Sequence, residues 1–193
     1  NISWQKPVIA IASNQTSHLE VINEGPMIET WEIEPELPIG LVLDEGNITG
    51  TPLSRMNWTI FTIWANNTGG SFQTNLKLAV HDLDADSSDL SAGVGVLDYG
   101  SSWPSMIVPH GEWSFPIGMD WARRPLITAS HAGQGRMVGF GHESLVSRST
   151  GNESVMSMNA VNWVCHGSSI GVVSSYNNFE DELVAAGYSV TTS

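Results

Sequence analysis

The sequence has one cysteine, few basic residues and no long hydrophobic run. The single cysteine, Cys165, excludes an internal disulfide framework. Only 7 lysines and arginines stand against 20 aspartates and glutamates, which gives a formal net charge of −13. A nucleic-acid partner is disfavoured, because no basic stripe exists to release phosphate counterions. No signal peptide and no apolar run of roughly 18 residues occurs, so no transmembrane segment is predicted.

What is present favours a modular surface protein. Hydrophobic residues make up 41% of the 193 residues and include eight tryptophans, which argues against wholesale disorder. Six Asn-x-Ser/Thr sequons occur, five of them early in the chain: Asn1, Asn14, Asn47, Asn57, Asn66 and Asn152. Because sequons mark surface loops of secreted proteins, they predict an extracellular or cell-surface location. The abrupt ends predict a piece of a longer protein, whose other domains would be partners.

The first half of the chain alternates apolar and polar residues with period two. This pattern predicts an antiparallel β-sandwich built from the strands Pro7–Ala12, Ile28–Ile33, Leu41–Leu43, Asn47–Thr51, Thr59–Ala65 and Phe72–Val80. In the fifth strand Phe61 and Ile63 share the core face, and Trp64 lies on the other face. Trp64 is therefore predicted to contact a neighbouring domain, with stacking on a ligand as the alternative.

Two motifs in this half point to a family. The segment WEIEPELPIGLVLDEGNITGTP contains Leu-Pro-x-Gly-Leu-x-Leu and Ile-x-Gly-Thr-Pro, and TIFTIWANNTGGS follows it. Together they resemble the immunoglobulin-like (cadherin-like) repeats of bacterial and archaeal surface proteins. The resemblance covers residues 4–82 and implies, for residues 1–82, an all-β immunoglobulin-like sandwich used for spacing or adhesion. It brings no catalytic residue with it. The segment from Asp44 to Asn47 is interpreted as the turn of a hairpin.

A run of acidic residues, HDLDADSSDLSAG, follows the last strand. An EF-hand loop needs glycine at its sixth position and glutamate at its twelfth, where this run has Ser87 and Gly93. The run is therefore expected to be a solvated acidic linker over residues 83–92. A looser interdomain Ca²⁺ site is the alternative, because carboxylate clusters bind this ion without a strict motif. Its ligands would be Asp82, Asp84, Asp86 and Asp89.

The second half changes from period two to alternating strands and helices. A glycine-rich turn between Pro125–Ser130 and Met137–His142 predicts a hairpin. The elements expected after it are a helix capped by Asn152 and running to Val164, a strand over Ile170–Ser174, a helix over Phe179–Ala186 capped by Asn178 with Gly187 as its left-handed end, and a strand over Tyr188–Thr192. Strand–helix–strand at this spacing predicts a parallel sheet.

This half also resembles a known domain. It contains an Ala-x-x-Gly-x-Gly-Arg-like hairpin with one extra residue, a Gly-His-Glu and an Asn-Ala-Val-x-Trp helix, formed by Ala129, Gly133, Gly135, Arg136, Gly141, His142, Glu143, Asn159, Ala160, Val161 and Trp163. The pattern is similar to the amidotransferase-like (flavodoxin-like) domain beside enhancin-type metallopeptidases and their channel-associated relatives. The resemblance implies an α/β domain over residues 93–193, incomplete in this chain, and implies fold more firmly than activity.

Three segments resemble catalytic motifs, but each lacks a feature that its motif requires. The G-x-S-x-G of residues 167–171 follows a helix and precedes a strand, the reverse of a nucleophile elbow. The pair Cys165-His166 lacks a strand–elbow–helix setting, so Cys165 is expected to be structural. His142-Glu143 begins a zinc-peptidase H-E-x-x-H, but position 146 is valine. Four residues remain as a candidate ligand or metal site: His110, His131, His142 and Glu143. The alternative is that such histidines hydrogen-bond loops to a core.

These observations lead to three functional hypotheses. The favoured one is a non-catalytic extracellular module for recognition, spacing or adhesion, with surface glycans or glycoproteins as partners. The alternative is an accessory region of a longer secreted metallopeptidase that acts on glycoproteins and has its catalytic domain outside this chain. The third is a hydrolase that uses Ser169 or Cys165.

Overall fold

The structure is a computed structural model that describes residues 1–100, 103–147, 150–165, 167–172 and 177–192. Among the described residues, 43% lie in strands and 18% in helices. The chain divides into two compact units, Asn1–Asp82 and Leu83–Ser193. Each unit has its own apolar core.

The first unit consists of nine strands within the described residues. They are β1 (Ile2–Trp4), β2 (Val8–Ala12), β3 (Ser17–Leu19), β4 (Val21–Asn23), β5 (Thr30–Glu34), β6 (Leu41–Asp44), β7 (Asn47–Gly50), β8 (Met56–Asn67) and β9 (Gly70–His81). The six strands expected from the alternating pattern are confirmed. Strands β1, β3 and β4 are not predicted from the sequence, because three residues are too few to show a period.

Two sheets of this unit face one core. One has the order β2-β9-β8-β5 and the other the order β3-β7-β6, while β1 pairs with β4. Strand β2 runs parallel to β9, and the other pairs of the larger sheet are antiparallel. Phe61 and Ile63 of β8 and Leu76 of β9 are fully buried. They lie on the inner face because side chains of a strand alternate between its two faces.

The acidic turn of the first unit is a two-residue hairpin, as expected. Asp44 pairs with Asn47 across the end of β6 and β7, which leaves Glu45 and Gly46 as the loop. Both have positive φ, 48° and 85°, as a type I′ hairpin turn requires. A Cβ atom on Gly46 would lie 2.6 Å from the Trp31 ring, so the position also has no room for a side chain.

The second unit combines antiparallel strands with helices. Its elements are α1 (Leu83–Ser91), β10 (Ser114–Met119), β11 (Pro125–Ala132), β12 (Gly135–Phe140), a 3₁₀ turn (Glu143–Leu145), α2 (Asn152–Val164), β13 (Ser169–Val172), α3 (Asn177–Ala185) and β14 (Ser189–Thr192). Strands β10, β11 and β12 form an antiparallel sheet, and β13 pairs with β14 in parallel. The core draws on α1, the antiparallel sheet and α2, for example through Leu90, Ile127 and Met156.

The expected acidic linker is wrong. Residues 83–91 form helix α1, whose Asp86 and Leu90 are buried. Leu83, Asp86 and Leu90 share one helical face, since they are three and four residues apart. A charged residue at the centre of this face hid its amphipathic pattern, so the segment looked solvated in the sequence.

The expected flavodoxin-like α/β domain is also wrong. A doubly wound domain needs a parallel sheet with helices on both faces. Within the described residues, the only parallel pairing in this unit is β13 with β14, joined through α3. This βαβ unit and the β11–β12 hairpin are confirmed, but one βαβ unit does not make a doubly wound sheet.

Of the expected helix ends, the glycine after α3 is confirmed and the two asparagine caps are wrong. Gly187 has φ of 90° and ends α3 in a Schellman motif: Tyr188 N–H donates to Leu183 O at 3.0 Å, and Gly187 N–H to Val184 O at 3.0 Å. Asn152 does not cap α2, because the N-cap residue is Gly151. Asn178 does not cap α3 either, since that helix already begins at residue 177.

Candidate functional site

A buried polar cluster joins three elements of the second unit. Asp86 of α1 accepts hydrogen bonds from two side chains, His131 Nε2 at 2.7 Å and Trp163 Nε1 at 2.9 Å. The exposed fraction is 1% for Asp86 and 8% for His131. The rings of His131 and Trp163 meet edge to face, with centroids 5.2 Å apart. Helix α1, strand β11 and helix α2 are therefore tied together at one point.

Helix and strand periods explain how these residues meet. In β11 the positions 127, 129 and 131 lie on one face, which brings His131 into line with core residues. In α2 Met156, Ala160 and Trp163 are four and three residues apart and form the buried stripe. Asp86 faces them from α1.

The cluster holds its carboxylate in the ionised form. Burial raises the pKa of Asp86, but the hydrogen bonds from His131 and Trp163, together with the charges of His131 and Arg136, outweigh burial and lower the pKa below its usual value. An ionised carboxylate only accepts hydrogen bonds, so Nε2 of His131 carries the proton. Arg136 lies with Cζ 4.9 Å from the centre of the Trp163 ring and donates to Trp163 O at 2.8 Å.

An Asp–His pair also occurs in catalytic triads, where the second ring nitrogen of an accessible histidine activates a nucleophile. Here the ring is almost fully buried between Asp86 and Trp163. The cluster is therefore suited to fixing three elements rather than to acid–base work on a substrate.

The four candidate ligand residues have different roles in the structure. His131 belongs to the buried cluster, and His142 caps the 3₁₀ turn, with its Nδ1 accepting from Ser144 N at 3.1 Å. Glu143 begins that turn, and His110 is an exposed loop residue whose carbonyl accepts from Ser114 Oγ. Within the described residues, no group of three or more His, Cys, Asp or Glu could hold a metal ion. His131 and His142 instead do what the alternative expected, hydrogen-bonding loops and elements to the core.

The four aspartates of the suggested Ca²⁺ site do not share a role either. Asp86 points into the core and is bonded to His131 and Trp163, so it is unavailable to an ion while α1 is folded. Asp84 and Asp89 are exposed on α1, and Asp82 is half-buried at the end of the first unit. Ca²⁺ binding by these three stays a prediction.

Trp64 lies half-buried on β8 of the first unit. Its Nε1 donates to Gln73 Oε1 of β9 at 3.0 Å. On the other side of β8, Trp64 pairs with Glu32 of β5. Its role at an interface stays a prediction.

Neither of the suggested nucleophiles has the setting that a nucleophile needs. Cys165 is half-buried and directly follows α2, with its N–H bonded to Val161 O. Ser169 is exposed and opens β13 rather than following a strand. His166 lies outside the described residues.

A cavity of about 460 Å³ opens in the second unit, and nothing in the sequence analysis pointed to it. Its floor is formed by Ile127, Leu145 and Met156, each at most 1% exposed. One wall is the irregular segment 94–97 with Tyr99, and the opposite wall is the end of β10. Trp121, 89% exposed, lies at the rim. The signal in the sequence was the pair of apolar stretches VGVL and FPIGM, which only the tertiary fold brings together.

The rim is fixed by the turn between β10 and β11. Asp120 Oδ1 accepts from the backbone N–H groups of Ala122 and Arg124, each at 2.9 Å, and Oδ2 accepts from Arg124 Nε at 2.6 Å. The side-chain hydrogen bond from Arg124, with these backbone donors, holds the pKa of Asp120 below its ordinary value. Arg123 has φ of 59°, so the turn is tight.

Comparison with known proteins identifies the family. The family model TCAF_N, described as "TRPM8, N-terminal domain", matches residues 68–193, well over half of the 193 residues. The chain belongs to the TCAF_N family. The match covers the whole second unit, with its cluster and cavity, and strand β9 of the first unit.

The curated relatives of this TCAF_N chain are channel-associated factors. TRPM8 channel-associated factor 2 of Bos taurus is 32% identical over 109 residues, 55% of this chain and 12% of that protein. TRPM8 channel-associated factor 1 of Homo sapiens is 35% identical over 85 residues, 43% of the chain and 9% of that protein. The chain therefore spans 9–12% of the length of these relatives.

Two solved structures each resemble less than half of the chain. Extracellular domains 3–5 of Drosophila OTK cover 42% of this chain and 30% of their own at a TM-score of 0.35 and 15% identity. The titin M3 domain covers 42% of this chain and 96% of its own at a TM-score of 0.28 and 17% identity. Likenesses this weak add nothing to the fold described above.

The TCAF_N family corrects the earlier interpretation. The assignment to surface repeats and to an enhancin-type amidotransferase-like domain is wrong, because the matching family model is TCAF_N and the relatives are named as TRPM8 channel-associated factors. For the same reason, the adhesion module and the metallopeptidase accessory region are both wrong, and glycan partners find no support. None of the helices in the described part of the chain has the length and hydropathy needed to span a bilayer. An extracellular location stays a prediction.

Proposed function

We propose that this protein is a channel-associated regulatory factor whose second unit takes part in binding a TRPM8 channel. One observation carries the proposal: the family match over residues 68–193, with relatives named as TRPM8 channel-associated factors at 32–35% identity. The match includes every element of the second unit, so the contact is assigned to that unit.

The surface of the second unit supports a binding role. Several large apolar side chains there are more than half exposed: Val96, Trp103, Met106, Val108, Met119, Trp121 and Met137. Exposed aromatic and methionine side chains are typical of protein contacts. The buried cluster of Asp86, His131 and Trp163 gives this surface a rigid support.

Retention on purified channel tests the proposal. The full chain is expected to bind TRPM8 solubilised in detergent and not an unrelated channel in the same detergent. Ile127→Asp places a charge in the core of the second unit and should reduce retention by about tenfold or more. Ile63→Asp does the same to the first unit, where Ile63 is equally buried, and should keep most of the retention.

Two results would contradict the proposal. One is equal retention of the chain on the unrelated channel. The other is a folded wild-type chain that TRPM8 fails to retain. A regulatory role further requires that co-expression of the chain changes the TRPM8 current, whereas co-expression of Ile127→Asp leaves it unchanged.

A further inference from the structure

The cavity of the second unit has the size of a small-molecule site, and most of the residues that line it have apolar side chains, with Ser91, Tyr99 and Asp120 as polar ones. Pockets for small ligands measure roughly 300–1,000 Å³ and are mainly apolar with a few polar groups, and this one measures about 460 Å³. Its floor consists of core side chains, and its mouth carries the aromatic rings of Tyr99 and Trp121. We propose that this cavity binds an uncharged, largely apolar small molecule.

The wall of the cavity is held in place before any ligand arrives. Segment 94–99 has no regular secondary structure, yet the first turn of α2 fixes it by three hydrogen bonds. Asn152 Oδ1 accepts from Gly95 N at 3.0 Å, and Asn152 Nδ2 donates to Val96 O at 2.8 Å. Glu153 Oε1 accepts from Asp98 N at 2.5 Å. A wall fixed in this way lowers the ordering cost of binding.

The charge at the rim determines which ligands suit the cavity. Asp120 is the single charged residue among the described residues that line it. Its two oxygens already accept from Arg124 and from two backbone N–H groups, so the ion pair is neutral and its acceptors are occupied. A cationic ligand finds no free carboxylate here, and the charge of Arg124, which does not line the cavity, is already balanced by Asp120. An uncharged molecule fits this rim best.

A bound ligand would cover apolar surface that Trp121 exposes to water. A tryptophan that is 89% exposed on a rigid turn leaves a large apolar area in water. A molecule seated on Ile127, Leu145 and Met156 would cover the ring and the neighbouring Met119. Tyr99 supplies a phenol at the same mouth, and its hydroxyl forms no hydrogen bond to the part of the chain that the structure describes. One polar group on the ligand could use it.

A fluorescence titration with the neutral dye N-phenyl-1-naphthylamine tests the inference on the full chain. Its emission should rise and saturate at one dye per chain. Val94→Phe adds bulk inside the cavity wall and should weaken dye binding roughly tenfold. Val108→Phe, the same change at a side chain that is 79% exposed and outside the cavity, should bind dye like the wild type.

A second pair of variants covers the case in which Val94→Phe does not fold. Trp121→Ala removes an exposed side chain at the rim and should weaken dye binding several-fold with an unchanged melting temperature. Trp103→Ala, at a position that is 93% exposed and does not line the cavity, is its control. The anionic analogue 8-anilinonaphthalene-1-sulfonate should bind more weakly than the neutral dye.

The proposal is overturned if the dye does not saturate, if each variant binds like its control, or if the anionic dye binds more tightly. The test contains no channel, so its outcome is independent of the proposed binding to TRPM8.

Discussion

Asp86 links three elements of the second unit through a buried carboxylate. Its carboxylate is 1% exposed and is held by His131 and Trp163, which come from two other elements. Removing one partner of a buried ion pair or hydrogen-bonded charge costs about 3–5 kcal/mol, because the other partner loses its compensation. We therefore expect Asp86→Ala to lower the free energy of unfolding of the second unit by about 3 kcal/mol or more at neutral pH.

Urea unfolding followed by tryptophan fluorescence measures this change. Asp84→Ala, an exposed aspartate on the same helix, is the control and should stay within about 0.5 kcal/mol of the wild type. The cost of Asp86→Ala should also depend on pH. Folding lowers the pKa of Asp86, so its stabilisation is present above the unfolded value of about 3.9 and is lost as pH falls through the folded value. A cost that is independent of pH down to acid would contradict the assigned charge.

Individual residues were the hardest features to obtain from sequence. The sequence marks His131 as a candidate ligand, but its partner in the structure, Asp86, lies 45 residues away in the segment expected to be a linker. No local pattern connects two such residues. Trp163 was noted only as part of a helix motif, and its hydrogen bond to Asp86 depends on how α1 packs.

At the scale of single elements, two glycines with nearly the same φ allow the cost of backbone strain to be separated from the cost of crowding. Gly46 in the β6–β7 turn has φ of 85°, and Gly187 at the end of α3 has φ of 90°. A Cβ atom on Gly46 would meet the Trp31 ring at 2.6 Å, whereas one on Gly187 would meet nothing within 4 Å. Gly187→Ala should cost about 1 kcal/mol from backbone strain alone.

Gly46→Ala should cost about 2–3 kcal/mol, because displacement of the Trp31 ring adds to the same strain. Chemical denaturation of the two variants, each followed in its own unit by hydrogen exchange, provides the comparison. Equal costs would show that Trp31 moves aside freely, against the packing described here.

Long elements with a clear period were the easiest to predict from the sequence. Strands β8 and β9 alternate over 12 residues each and were found, whereas β1, β3 and β4 have three residues each and were missed. Helix α1 was missed because Asp86 interrupts its apolar face. Gly187 was predicted as a helix end because a left-handed residue there favours glycine for a local reason.

For the whole molecule, the excess of acidic over basic residues affects the stability of the folded state. A net charge of −13 on 193 residues destabilises the compact state by self-repulsion. Raising NaCl from about 0.01 M to about 0.15 M shortens the screening length from ~30 Å to ~8 Å and relieves that repulsion. We expect the stability of each unit to rise by about 1 kcal/mol, which corresponds to roughly 4–8 °C in melting temperature for a domain of about 60–100 residues.

Differential scanning fluorimetry in NaCl measures this effect. Sulfate is unsuitable as the salt, because it also strengthens apolar burial. A melting temperature that falls with NaCl would mean that attractive ion pairs outweigh the repulsion.

Fold class was the least predictable property of the whole molecule. The βαβ unit at the end of the chain was predicted correctly from its helix and strand signals, and extending it to a doubly wound sheet was the error. The antiparallel strands β10 to β12 precede it in the same unit. Local patterns indicate many of the individual elements, but they do not specify which elements share a sheet.

The parallel pairing of β2 with β9 has a mechanical consequence for the first unit. These strands lie near its two ends and are in register from Val8 with Lys77 to Ala12 with His81. A pulling force that reaches β2 from the amino end and β9 from the carboxyl end would slide the strands along each other. All the hydrogen bonds of the ladder would then carry the load together, instead of opening one after another as in a zipper. The first unit is thereby built to resist tension along the chain.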